Sequence, residues 1–288
     1  MSFLRLLGVC CAVLSGSGVL LAFPPAPYVQ VHGMVRDGFG WVLEADEGFV
    51  VVSSGGEEVV RGRIGFDPLR ERAYELRLPV SSFAVEEGEE ARSNTLDPNA
   101  VFTFTVELNG ETYLPIEVAF GQEFTGNPGD IVEVDLTLGE DADRDGLPDD
   151  WEYYQLESAG IHPGNPLYDL ETLSLEGDSD GDGKSNFQEF LGGTFAFDAA
   201  DAFRLENVKL DHESGMIVFE VFVVFGKQYQ LAASSDFSSE RTIIPIHRTN
   251  QPGTPAQSLW TSNFTGFTKI YTPDDPEQTA RFFWLRSF

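Results

Sequence analysis

Residues 141–152 read DADRDGLPDDWE, and residues 178–189 read DSDGDGKSNFQE. So many carboxylates repel one another at close range unless a cation lies among them. In the first stretch Asp141, Asp143 and Asp145 occupy positions 1, 3 and 5, Gly146 position 6 and Glu152 position 12. In the second, Asp178, Asp180, Asp182, Gly183 and Glu189 repeat the same spacing 37 residues later. That spacing is a calcium loop. Positions 1, 3 and 5 converge three carboxylates as the chain curls, and glycine at 6 permits the sharp turn. Position 7 supplies a backbone carbonyl, here from Leu147 and Lys184. Position 9, Asp149 or Asn186, commonly acts through water, and the glutamate at 12 closes the shell with two oxygens. Two calcium ions are therefore expected, since calcium takes such an all-oxygen cage while magnesium prefers to keep its waters.

A short helix is expected after each loop. Pro148 can begin the first, Asp149 and Asp150 suit its first turn, Trp151 and Tyr154 share a face, and Gly160 can end it. Ser185 and Gln188 have capping-box spacing at the start of the second. Phe187, Phe190 and Leu191 give that helix an apolar stripe, closed by Gly192 and Gly193. These aromatics are expected to pack the two helices together. Asp198 and Asp201, a little further on, are candidates for further ligands, with surface aspartates the preferred reading.

Outward from the acidic middle, the pattern changes to period two, the mark of strands with one buried face. Before it, Val29, Val31, Gly33 and Val35 alternate, as do Val132, Val134, Leu136 and Leu138. Between them lie FVVVS, VVRGRI, AYELRLPV, VFTFTVELNG and TYLPIEVAF, separated by turn signals such as DGFG, SSGGEE and NGE. After it come FRLENVKL, MIVFEVFVVF, QYQLAASS, RTIIPIHR, TKIYT and ARFFWLRSF. The expected fold class is mainly β: two antiparallel β-sandwich domains, residues 27–138 and 203–288, joined at 139–200 by a short helical region of paired calcium loops.

The N-terminus, MSFLRLLGVCCAVLSGSGVLLA, places Arg5 before an apolar run to Ala22, the build of a signal peptide over residues 1–22. An exported protein, secreted or held at the cell surface and with no membrane segment after cleavage, is expected. Cys10 and Cys11 are the two cysteines of the chain and both lie in this segment. The mature protein must find its stability in apolar cores or bound metal rather than disulfides. The net charge of −29 argues against nucleic acid or an anionic membrane as partner.

Three resemblances accompany these readings. The acidic repeats, in the forms D-x-D-x-D-G-L-x-D-x-W-E and D-x-D-G-D-G-x-x-N-x-x-E, resemble the calcium repeats related to the thrombospondin type 3 family. A dockerin also pairs two such loops, but it presents small hydroxyl residues at loop positions 10 and 11, where this chain has Asp150 with Trp151 and Phe187 with Gln188. The opening VQVHGMVRDGFGWVLEADEGFVVVSS resembles a carboxypeptidase-regulatory or transthyretin-like domain, an accessory fold that implies no activity. The run GKQYQLAASSDFSS with the closing RFFWLRSF resembles a C-terminal β module of secreted multi-domain bacterial proteins, which supports export and architecture alone.

Enzyme signatures are missing. His32, His162, His212 and His247 are scattered without metal spacing, and no nucleophile elbow, phosphate loop or dinucleotide fingerprint occurs. Glu86, Glu87, Glu89 and Glu90 form a charge run of the solvated kind. The expected function is non-enzymatic: calcium ordering the junction between two β domains of an extracellular or cell-surface protein. Trp260, Tyr271 and Trp284 carry the alternative, a carbohydrate-binding adhesin or accessory module with a glycan or surface protein as partner. Core packing is the simpler reading of those three rings.

Overall fold

The computed structural model describes residues 28–44, 48–68, 70–81, 95–119, 121, 123–203, 205–235, 241–251, 255–274 and 282–288. The expected signal peptide, with Cys10 and Cys11, and the glutamate run at 86–90 lie outside the described residues.

Three clusters of buried side chains succeed one another along the chain, and the protein is mainly β. The first cluster is built on β1 (Tyr28–Gly33), β2 (Val35–Arg36), β3 (Phe49–Ser54), β4 (Glu57–Arg63), β5 (Tyr74–Pro79), β6 (Thr103–Leu108) and β7 (Glu111–Tyr113). A four-residue helix, α1 (Ile116–Ala119), and strands β8 (Ile131–Glu133) and β9 (Leu136–Thr137) complete it. One sheet runs β4-β3-β6-β7 and the other β5-β1-β8. Alternation is visible in β1, where Val29 and Val31 are fully buried between half-buried neighbours, so the period-two reading picks the inward face.

Three details differ from the sequence expectation. TYLPIEVAF turns out to hold a short strand and then α1, because Pro115 ends the strand and its carbonyl accepts the amides of Val118 and Ala119. The stretch from Val132 to Leu138 is two strands, interrupted at Asp135, whose carboxylate accepts the Met34 amide and the Arg36 guanidinium, each at 2.8 Å. Finally, β1–β8 and β2–β9 are parallel pairs, whereas the other strand pairs among the described residues are antiparallel. A strand that returns after the whole intervening sheet can run alongside the first in either sense, and period two does not report which.

The C-terminal cluster lies between two sheets. One runs β10 (Leu205–Asp211), β11 (Met216–Val223), β17 (Gly266–Pro273), β14 (Ile246–His247), β15 (Ala256–Gln257). The other pairs β12 (Gln228–Ser234) with β13 (Thr242–Ile244), β16 (Trp260–Thr261) and β18 (Phe282–Ser287). RTIIPIHR, read as one strand, crosses between the sheets at Pro245, which has no amide to continue a ladder. Among the described residues, no helix is long and apolar enough to cross a membrane.

Candidate metal centre

The first acidic loop leaves β9 and closes on helix α2 (Asp149–Ser158). Asp141 is buried, and its Oδ1 accepts the amide of Arg144 at 2.7 Å while Oδ2 accepts that of Gly146 at 3.1 Å. Asp145 accepts the Leu147 amide at 2.8 Å, and Asp149 reaches back to the Ala142 amide at 2.8 Å. Gly146 has φ near +100°, the conformation that the pattern's glycine anticipates. These bonds curl the chain inward, and carboxylate oxygens of Asp141, Asp143 and Asp145 come within 4.8 Å of one another. Glu152, in the first turn of α2, is fully buried, and neither of its oxygens has a hydrogen-bond partner. Burial, and then the charges of Asp143, Asp145, Asp149 and Asp141, push its pKa up to about 9. Leaving a buried carboxylate unsatisfied is costly, and a cation at the focus of these acids removes that cost.

The second loop repeats the construction before helix α3 (Asn186–Gly192). Asp178 accepts the Gly181 amide at 2.8 Å and the Gly183 amide at 2.9 Å, and Asp182 accepts the Lys184 amide at 2.7 Å. Carboxylate oxygens of Asp178, Asp180 and Asp182 again lie within 4.8 Å of one another. Asp180, Asp182 and Glu189 each keep one buried oxygen without a partner, and burial first, then the Asp180 and Asp182 charges, raise the Glu189 pKa to about 8. Asn186 is fully buried; its amide nitrogen donates to the Ser174 carbonyl at 2.7 Å, and its Oδ1 accepts from Ser179 at 2.9 Å. The side chain at position 9 thus holds the loop's flanks together.

Both sets of donors are carboxylate and carbonyl oxygens, with several buried atoms lacking any other partner. They fit a hard divalent cation, and two aspartate clusters that could hold a metal ion are present. Leu147 and Lys184 come directly after the glycines, at position 7, where the pattern takes a backbone carbonyl.

The helices then tie the loops together. Ser185 and Gln188 form the full capping box, and Gly193 closes α3 in the left-handed region. Trp151 meets Phe190 edge to face at 5.7 Å, both buried with Leu147, Leu156 and Leu173. Phe187, expected on the same stripe, stays substantially exposed, as does Tyr154. Leu175 links the two sites directly: its amide donates to Asp145 at 2.8 Å, and its carbonyl accepts the Phe187 amide at 3.1 Å.

This acidic segment also touches both β modules. Lys227, fully buried between β11 and β12, donates to the Gly40 carbonyl of the first module and to the Leu191 carbonyl at the end of α3, each at 3.2 Å. Its ammonium lies 4.6 Å from the Trp41 ring centre, and burial lowers its pKa to about 8. A side chain at Gly40, where φ is +78°, would strike the Phe190 carbonyl at 2.4 Å. The β modules meet directly as well: Gln230 reaches the Pro68 carbonyl at 3.0 Å, Arg286 pairs with Glu71, and the Phe66 and Phe288 rings lie 5.1 Å apart.

Lys227 escapes a reading of sequence, since its partners lie 187 and 36 positions away. Asp201 corrects the expectation of a surface residue: it is buried, with Oδ2 on the Phe195 amide at 3.1 Å, whereas Asp198 is exposed. Of the three rings considered for sugar stacking, Trp260 is buried against Tyr229 with Arg248 over its face at 3.7 Å. Trp284 is half-buried under Arg241, and Tyr271 is half-buried in β17. Comparison of the chain with protein-family models, with curated proteins and with solved structures finds no match.

Proposed function

We propose that this is an exported, non-enzymatic protein in which two calcium ions order the junction between two β modules. The observation that carries this reading is Glu152: a fully buried carboxylate, unpartnered at both oxygens, near enough to feel the charges of the three converging aspartates. In the calcium reading Asp141, Asp143, Asp145 and Glu152 hold one ion with the Leu147 carbonyl, and Asp178, Asp180, Asp182 and Glu189 hold the other with the Lys184 carbonyl. Asp149 and Asn186 act from position 9 through water or by bracing the loop. Calcium supplies the positive charge that lets these carboxylates remain ionised while buried. Export is supported by the N-terminal segment, and the ordering role by Lys227, which bonds the end of α3 to both β modules.

The preference for calcium over magnesium rests on an all-oxygen donor set closed by a glutamate at position 12. Calorimetry on the mature chain should give two calcium ions per molecule, little affected by millimolar magnesium. Limited proteolysis adds the structural half: cleavage between residues 140 and 200 should appear only in chelator, while both β modules persist. A stoichiometry of zero, or equal resistance with and without chelator, would remove calcium from the architecture.

A further inference from the structure

The three modules enclose a cleft of about 320 Å³ that belongs to neither aspartate cluster. Its walls include Phe39 and Trp41 of the first module, Tyr154 and Phe195 of the helical segment, and Val224 of the last. Phe39, Tyr154 and Phe195 are substantially exposed despite being large aromatic side chains. They do not make a flat platform. Phe39 stands at 88° to Tyr154 with ring centres 5.9 Å apart, while Tyr154 and Phe195 stack at 6.0 Å. The rings form a corner.

Asp201 also lines this cleft. Only 8% of its surface is exposed, and its Oδ1 is buried without a hydrogen-bond partner among the described residues. Withdrawing a carboxylate oxygen from water without replacing the lost bonds is unfavourable, so this atom marks a place where a donor belongs. Burial raises the Asp201 pKa to about 6, which leaves the group mostly ionised at neutral pH. A corner of aromatic rings in a cleft that a carboxylate also lines suits a compact cation with an apolar stem: the charge meets the carboxylate and the stem meets the rings. A sugar needs a flatter stacking face and several donors and acceptors around its rim. The chain already applies the same chemistry internally, with the Lys227 ammonium over the Trp41 ring. The net charge of −29 attracts cations to the whole surface.

We propose that this cleft binds a primary alkylammonium group, the chemistry shared by a lysine side chain of a partner protein and by a free aliphatic diamine. The volume lies at the lower end of ordinary ligand pockets and accommodates a single such chain. Tyr154 belongs to the helix after the first loop, and Thr194, also in the wall, donates to Glu189 at 3.4 Å. Binding should therefore weaken in chelator, a dependence that rests on the calcium reading above; the ammonium specificity does not.

The test uses the full mature chain in saturating calcium, followed by tryptophan fluorescence and calorimetry. The probes are N-acetyl-lysine methylamide, cadaverine, the norleucine counterpart of the lysine derivative, and methyl glucoside. Saturable binding of an amine, with at least tenfold weaker binding of the norleucine compound, is expected. Tighter binding of the lysine derivative identifies a protein partner, and tighter binding of cadaverine identifies a free amine. Asp201→Asn should weaken the amine at least tenfold. Should that variant fold poorly, Tyr154→Ala, at an exposed ring, should weaken it severalfold with calcium stoichiometry and melting temperature unchanged. Absence of saturation with both amines, equal binding of the norleucine compound, unchanged affinity in a folded Asp201→Asn or Tyr154→Ala chain, or binding of the glucoside instead would overturn the proposal.

Discussion

The two acidic loops share a pattern but not an environment. In the first, Asp141 and Glu152 are both buried, and Asp145 is tied across to Leu175. In the second, Asp178 is exposed, as are Gly181 and Gly183, and Glu189 spends one oxygen on Thr194. The first loop also concentrates more charge: six acids and one base between Asp141 and Glu152, against four acids and one base between Asp178 and Glu189. Identical ligand spacing can therefore enclose sites of different desolvation. A pattern sets which atoms converge, while packing sets how much those atoms gain from a cation.

The largest effect expected from this difference is that of metal removal. Each site held at about a hundredfold excess of calcium over its Kd adds roughly 2.7 kcal/mol to stability. As calcium is lowered, proteolysis should open the exposed second loop near residues 178–184 before the first near 141–147. Simultaneous cleavage would mean that Leu175 couples the loops into one unit and would erase their difference.

Lys227 offers a second way to separate them, because it bonds the end of α3 and makes no bond to α2. Lys227→Met keeps the apolar stem of the side chain but leaves the Gly40 and Leu191 carbonyls without their donor, a loss of about 1–3 kcal/mol. Calcium affinity measured by calorimetry should fall at the second site and hold at the first. An equal fall at both would place the coupling in the shared core of Trp151 and Phe190.

A smaller effect is the difference in affinity itself. Greater ligand charge and a buried Asp141, where the second loop has the exposed Asp178, favour the first loop by about tenfold, or roughly 1.4 kcal/mol. Glu152→Gln should abolish the tighter site and Glu189→Gln the weaker. The reverse assignment would show that loop charge does not control affinity here.

A further effect, separate from metal affinity, is one of pH in chelator. Glu152 and Glu189 have pKa values raised to about 9 and about 8, so the folded metal-free chain holds protons that the unfolded chain has released. Their contribution to stability is fully present below the ordinary carboxylate pKa and is lost as pH rises through those values. Melting of the acidic segment in chelator should therefore move to lower temperature between pH 6 and pH 9. In calcium the dependence should change sign at the acid end, since the metal needs these groups deprotonated. A flat profile in chelator would mean that Glu152 and Glu189 gain water when the metal leaves.

Much of the candidate site is legible in the order of residues alone. Spacing names Asp141, Asp143, Asp145, Glu152 and their counterparts because a twelve-residue loop carries its own geometry: the turns, the glycine and the capping box are all short-range. Alternation likewise marks the buried faces of β1 and β5, since side-chain direction in a strand is a local property. Whatever depends on distant neighbours had to wait for the folded chain. The parallel pairing of β1 with β8, the crossing of RTIIPIHR between sheets, the burial of Asp201 and the seat of Lys227 against Gly40 and Leu191 leave no periodic trace. Their energies come from contacts between residues tens to hundreds of positions apart, and no local pattern encodes which surfaces will meet.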